Sequence, residues 1–206
     1  MSHQPDFERA RQYALDRLSN ELPATLRYHT LEHTVDGVLP AVEQLAALSN
    51  VGDEDLLLLR TAAYFHDLGF IVHPSDHEQT GVRIAGEVLP GYGYQPEQVQ
   101  VIAGLILATK LPQTPHTLLE QILADADLSV LGSNDFLEWN HELRAELETA
   151  GRIMTDQQWY DSQIRFLSEH RYWTAAAHTL CNDCKQKNLQ DLRALAAQYN
   201  PLQQNR

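Results

Sequence analysis

The stretch Ala62-Ala63-Tyr64-Phe65-His66-Asp67-Leu68-Gly69 decides how the rest of the chain is read. It closes the most apolar helix expected in the sequence, which starts near Asp53 and carries Leu56 to Leu59, Ala62, Ala63, Tyr64 and Phe65, with Gly69 as its stop. A segment apolar almost all round belongs in the centre of a fold. The histidine and aspartate at its end need partners, because burying an unsatisfied polar group is costly. Neighbouring helical residues point about 100° apart. His66 and Asp67 therefore cannot enclose a cation alone, but both can reach one lying between this helix and its neighbours. The missing ligands must come from other helices.

Two stretches offer them. In Tyr28-His29-Thr30-Leu31-Glu32-His33-Thr34, the histidines His29 and His33 are four residues apart and share a helical face. In Leu123-Ala124-Asp125-Ala126-Asp127-Leu128, two carboxylates interrupt an apolar helix. Asp125 and Asp127 are two apart and face nearly opposite ways, so at most one of them shares a metal with His66. Imidazole and carboxylate without thiolate suit divalent manganese, iron, zinc, nickel or cobalt better than a soft-metal site.

Helical periodicity dominates elsewhere too, and no β-branched alternation bounded by turn residues marks a strand. The expected fold is all-α. Helices are read over about residues 5–21, 30–48 with a kink at Pro40, 53–69, 76–89, 96–108, 115–131, 135–150, 155–170 and 173–198. A loop is expected over 71–76, and short loops lie at 110–114 and 132–134, as in a compact multi-helix bundle. The tail 201–206 reads as frayed.

With 206 residues, 43% apolar and 21% charged, the composition is that of a globular protein of one domain, two at most. Lys plus Arg is 15 against 28 Asp plus Glu, a net charge of −13. That balance argues against general nucleic-acid binding and against attraction to anionic lipid. The N-terminus has no basic and apolar signal pattern. The longest apolar stretch, near residues 99–108, is about half a membrane span. A cytoplasmic protein is expected. Cys181 and Cys184 are the only cysteines. With His178 they offer three possible ligands, but no second cysteine pair completes a zinc site and no strand-turn-helix context supports a redox motif, so they read as two thiols on an amphipathic helix. Neither a G-x-x-x-x-G-K-[ST] phosphate cradle nor a G-x-S-x-G elbow occurs.

The order His33, then His66-Asp67, then a distant Asp in an Ala-Asp-Leu setting resembles the HD superfamily of metal-dependent phosphohydrolases, whose pattern is H…HD…D. Tyr28-His29-x-x-x-His33, Phe65-His66-Asp67-Leu68-Gly69-Phe70 and Asp125-Ala126-Asp127-Leu128-x-x-Leu131-Gly132 look like its small, mostly uncharacterised bacterial hydrolases. So do Phe166-Leu-Ser-Glu-His170-x-Tyr172 and Lys187-Asn188-Leu189 near the C-terminus. The resemblance implies one all-helical domain over residues 1–206, with a metal-binding core at about 25–135 and C-terminal helices at about 135–198. It also implies a divalent metal, one ion tightly bound, held by His33, His66, Asp67 and Asp127. Asp127 is preferred to Asp125 because the family ligand follows Ala and precedes a short apolar stretch; Asp125 is then a proton acceptor or orients a ligating His.

Other groups can lean over such a site. His77 and Glu78 open the helix after the HD loop, His77 as ligand to a second metal, phosphate contact or proton donor and Glu78 as a holder of a metal-bound water. Lys110, one of only three lysines, is a phosphate partner, and Arg27 and Arg83 can add to local steering. His116 and His73 are weaker candidates. The resemblance implies hydrolysis of a phosphomonoester or phosphoanhydride by a metal-activated water, with Asp67 or Asp125 accepting the proton and Mg among the candidate ions. The substrate expected is a small phosphorylated metabolite, a nucleotide in particular. The competing readings are a non-catalytic metal-containing ligand-binding module and an HD-type iron oxygenase.

Overall fold

The computed structural model describes residues 5–199; His3 and the 201–206 tail lie outside the described residues. Among the described residues the chain is helical and contains no strand, as the periodicity requires. No helix among them is long and apolar enough to cross a membrane. Contacts divide the chain into two compact units, one ending at Leu128 and the other beginning at Ser129.

The first unit contains α1 (Phe7–Glu21), α2 (Leu39–Leu48), α3 (Asp53–Phe65), α4 (His77–Val88), α5 (Pro96–Ala108) and α6 (Leu118–Asp127). Helix α3 is central and packs on α1, α2, α5 and α6. Leu58, Leu59 and every residue from Thr61 to Phe65 are buried. Each large apolar side chain taken out of water there contributes about 1.5–3 kcal/mol. The Thr61 hydroxyl in that run is satisfied, Thr61 Oγ1 donating to Leu57 O at 2.8 Å and meeting Tyr94 Oη at 2.8 Å. Arg60 grips the Glu43 carboxylate with two nitrogens and ties α3 to α2. Helix starts follow local chemistry. Gln95 and Gln98 form a reciprocal cap ahead of Pro96 in α5, and Thr117 and Glu120 do the same for α6.

Three boundaries differ from the expectation, each for a physical reason. Helix α3 ends at Phe65 rather than Gly69, and Leu68–Ile71 form a separate 3-10 turn. Gly69 lies against the start of α4 so closely that a Cβ there would stand 1.9 Å from His77 O. Continuing α3 would not bring the two backbones together. Helix α6 spans Leu118–Asp127 rather than 115–131; the Thr117 cap sets its start, and Ser129–Gly132 form a 3-10 turn of their own.

The third difference is in the helix expected over 30–48 with a kink at Pro40. Thr30 Oγ1 does accept from the His33 N–H, at 3.3 Å, as a cap. From His33 to Val38, however, the chain winds as a π-helix, and Leu39 N–H reaches back five residues to Thr34 O. Pro40 has no N–H to give, and its ring crowds the carbonyl four residues before it. A single widened turn ahead of the proline accommodates both without breaking the helix.

The second unit contains the Ser129–Gly132 turn, α7 (Phe136–Thr149), α8 (Asp156–Glu169) and α9 (Ala175–Gln198). Helix α9 packs on α8 and on the turn. Gly132 is needed there, since a Cβ would lie 2.4 Å from Cys181 O. Cys181 and Cys184 lie on α9 and are not joined in a disulfide. Lys185, buried in the same helix, donates to the His170 carbonyl that ends α8 and lies 3.1 Å from His170 Nδ1. Burial holds the Lys185 ammonium below its ordinary pKa, and burial beside Lys185 pushes His170 down to about 4. Asn188 Nδ2 donates to Leu131 O (2.9 Å) and Ser133 O (2.8 Å), stitching α9 to the turn. Asn188→Ala leaves these carbonyls without that donor and is expected to cost about 2 kcal/mol. All three tryptophans, Trp139, Trp159 and Trp173, belong to this unit. The loss should therefore appear as a lower urea midpoint by tryptophan fluorescence; an unchanged midpoint would show the stitch to be dispensable.

Candidate metal centre

Three separate elements of the first unit deliver polar side chains to one point. His33 comes from the π-helical turn, His66 and Asp67 from the end of α3, and Asp127 from the last position of α6. His33, His66 and Asp127 each offer one ligand atom, and those atoms lie within 4.8 Å of one another, so the three could hold a metal ion. His33 Nε2 is 3.3 Å from Asp127 Oδ1 and 3.7 Å from Asp67 Oδ2. His66 Nε2 is 3.2 Å from Asp67 Oδ2 and 3.5 Å from Asp127 Oδ1.

These residues fit a divalent cation on two grounds. His66 Nε2 and Asp67 Oδ2 are both buried without a hydrogen-bond partner, although they are near neighbours. They are misaligned for bonding to each other because both face a common centre. Second, the tautomer is suitable. His66 Nδ1 donates to Ala63 O at 2.7 Å, which leaves the Nε2 lone pair of the neutral ring free for a ligand. Helices α3 and α6 also end at this point, and helix C-termini carry partial negative charge that favours a cation.

The electrostatics follow from burial in close contact. Burial alone would lower the His66 pKa, but the Asp67 charge overrides it and, with Asp127, raises His66 well above its ordinary 6.5. Reciprocally, the His66 charge holds the Asp67 carboxyl well below its usual range despite burial, which opposes it. Asp127 is lowered to about 2 by its contacts with His33 and His66, again against burial. In the metal-free protein, the His66 imidazolium stabilises the fold fully below its ordinary 6.5, and this is lost as pH rises through its raised value. The two carboxylates stabilise above their ordinary 3.8, and this is lost as pH falls through their lowered values. A cation must displace the His66 proton. Metal affinity measured by calorimetry is therefore expected to rise with pH from 5.5 to 7.5, by up to about tenfold per unit for each proton displaced. A flat profile would show that no proton leaves.

His77 and Glu78 start α4, whose N-terminus reaches the same region. His77 Nε2 is 3.6 Å from Asp67 Oδ1 and 3.6 Å from Glu78 Oε1. Asp67 thus presents one oxygen to His33 and His66 and the other to His77. Glu78 is buried, which sequence alone did not indicate. His29 packs its ring on Phe70 at 4.3 Å, and Phe70 stacks on His77 at 4.0 Å.

The other sequence candidates lie apart from this convergence. Asp125 is fully buried in α6 but is not one of the three residues whose ligand atoms converge; two residues of helix turn it about 200° from Asp127. Lys110 pairs with Asp76 at 2.6 Å instead of standing free for a phosphate. Asp76 adopts a left-handed backbone, φ 51°, immediately before His77. His116 is exposed, and its backbone N–H serves the α6 cap through Glu120. His73 is exposed and accepts from Ser75 N–H at 2.9 Å. Arg83 pairs with Glu87 at 2.9 Å, and Arg27 is exposed.

The HD domain family matches residues 30–129, a range that includes His33, His66, Asp67 and Asp127. No curated protein matches the chain. In fold it is similar to a predicted HD superfamily hydrolase from an uncultured Thermotogales bacterium, at 18% identity and TM-score 0.64, over 95% of this chain and 94% of that one. It is also similar to a Lactobacillus plantarum protein, at 14% identity and TM-score 0.70, over 97% of this chain and 99% of that one.

Proposed function

Residues 30–129 form an HD domain, and from the groups gathered in it we propose that the protein is a metal-dependent phosphohydrolase acting on a small phosphorylated metabolite, a nucleotide in particular, in the cytoplasm. The observation that carries this reading is the pair of buried, partnerless atoms His66 Nε2 and Asp67 Oδ2 facing His33 and Asp127. One divalent ion, of Mn, Fe, Ni, Co, Zn or Mg, would be held by His33, His66, Asp67 and Asp127. Bound there, it would polarise a phosphoryl oxygen and lower the pKa of a water.

The chain's own residues supply the rest. Asp67 orients His66 by charge and keeps its second oxygen on His77. That contact places an imidazole at the rim of the site, where His77 can give a proton to a leaving alkoxide. Glu78, buried beside it, can accept a proton from the attacking water. The N-terminus of α4 favours the negative charge of the phosphate. Lys110 is a phosphate contact once it exchanges Asp76 for the substrate. Asp125, buried in the ligand-bearing helix, acts through its position there rather than on the phosphate.

The test is phosphate release from nucleotides and sugar phosphates, with Mn, Mg, Ni, Co and Zn in parallel. Metal-stimulated release abolished by chelation is expected. Metal-dependent melting without turnover would indicate a binding module, and oxygen consumption by the iron-loaded protein would indicate an oxygenase.

A further inference from the structure

Asp67 and Glu78 attract His77 without fixing its direction. His77 Nε2 stands 3.6 Å from Asp67 Oδ1 and 3.6 Å from Glu78 Oε1, too far for a hydrogen bond to either. The outer torsion of a histidine is broad and roughly two-fold, so two such attractions on one nitrogen leave the ring free to swing. What orients it must act on its face and on its other nitrogen.

Phe70 supplies the face. It belongs to the Leu68–Ile71 turn that follows the His66-Asp67 pair, and it is 5% exposed. Its ring lies 4.0 Å from the His77 ring, centroid to centroid, with 26° between the planes. A stacked contact of this kind holds the plane of the imidazole and leaves the nitrogens at its edge open. The Pro74 carbonyl lies 3.2 Å from His77 Nδ1 and can only accept, so it keeps a proton on Nδ1 and leaves Nε2 to face the two carboxylates. Phe70 is itself held, by the ring of His29 at 4.3 Å with 24° between the planes. Gly69 presses the same turn against the His77 backbone. One short segment thus grips both the main chain and the ring of His77.

We propose that Phe70 is a positioning residue: its ring sets the plane of the His77 imidazole so that the Nε2 proton is aimed at the departing oxygen of a phosphate ester. The inference rests on the hydrolase reading above and gives an apolar side chain, which carries no reacting atom, a part in proton delivery. In that step the water oxygen bonds to phosphorus and its proton goes to Glu78. The ester P–O bond breaks with its electron pair on the departing oxygen. The Nε2 proton of the imidazolium passes to that oxygen and leaves His77 neutral, with Nδ1–H still on Pro74 O. The contribution of Phe70 therefore depends on the leaving group. A benzyl alkoxide must receive a proton, whereas 4-nitrophenolate departs without one.

The experiment uses the metal-loaded full chain with benzyl phosphate and 4-nitrophenyl phosphate, and circular dichroism checks that each variant folds. Phe70→Met keeps an apolar side chain without a flat face, and Phe70→Tyr keeps the face. For Phe70→Met, kcat on benzyl phosphate is expected to fall about tenfold or more with KM and metal content steady, and kcat on 4-nitrophenyl phosphate to fall far less. Phe70→Tyr should restore the benzyl phosphate rate. In a His77→Ala background, Phe70→Met should cost nothing further, because the ring it positions is gone. The tautomer of neutral His77 is read from its ring nitrogens in the magnesium-loaded chain at alkaline pH. It should be the Nδ1–H form in the wild type and Phe70→Tyr, and a mixture in Phe70→Met. Equal losses on the two esters, an added loss in the His77→Ala background or an unchanged tautomer overturns the role of Phe70, while phosphate release by the wild type keeps the hydrolase reading. The tautomer change without release of phosphate by the wild type overturns the hydrolase reading and leaves the grip of Phe70 on His77 standing.

Discussion

His66→Ala is expected to abolish metal retention and, with it, phosphate release. Even the outer hydrogen-bond partners of metal-binding histidines are worth about 10–100-fold in affinity, so removing the ligand itself should cost at least that. Metal-assisted turnover should fall by roughly a thousandfold. Asp67→Asn is expected to do the same by another route. It keeps the volume of the side chain but removes the charge that raises His66 and the oxygen that faces the common centre. Metal content after gel filtration and far-UV circular dichroism separate the two contributions. Both variants should keep the helical spectrum while emerging without metal. A variant that retains stoichiometric metal and full activity would place the centre elsewhere.

Gly69→Ala is the second large effect, and it acts through shape alone. The added Cβ would stand 1.9 Å from His77 O, 2.7 Å from His77 C and 2.9 Å from His77 Cα. All three atoms are backbone, so no rotamer change relieves the clash. The 3-10 turn and α4 must separate. Overpacking of this kind costs about 3 kcal/mol or more, and the separation draws His77 away from Asp67. The variant is expected to melt well below the wild type by circular dichroism. Whatever fraction folds should show a larger fall in kcat than in metal affinity, because the ligands lie on the other side of the turn. Unaltered melting would mean that the turn and α4 do not meet as closely as described.

The parts of this arrangement that were legible in the sequence are those fixed within one helix. Helix α5 begins and ends where expected, because Pro96 sets its first turn and the Lys110–Pro112 segment cannot continue it. His66 and Asp67 stood out as polar groups closing a buried helix. The choice of Asp127 over Asp125 came only from family resemblance, since spacing alone says that one of them faces away without saying which. What the sequence hid are contacts between elements distant in the chain. The approach of Gly69 to His77 depends on how α3 and α4 meet. The pairing of Lys110 with Asp76 joins positions 34 residues apart, so a lysine that looks free in sequence is engaged in the fold. Burial of Glu78 follows from the same docking of α4 and has no local signal.

The widened turn at His33–Val38 has one more consequence. On a regular α-helix, the angular position of His33 would be tied rigidly to that of Val42 and Leu45, which face the core from α2. An i−5 hydrogen bond works as a phase shifter: it lets the metal-facing and core-facing halves of one continuous rod be set to different azimuths. Deleting a single residue between His33 and Pro40 would restore the ordinary winding and force a choice between aiming the histidine and seating the leucines. The helix carries two addresses, and the turn is what keeps them independent.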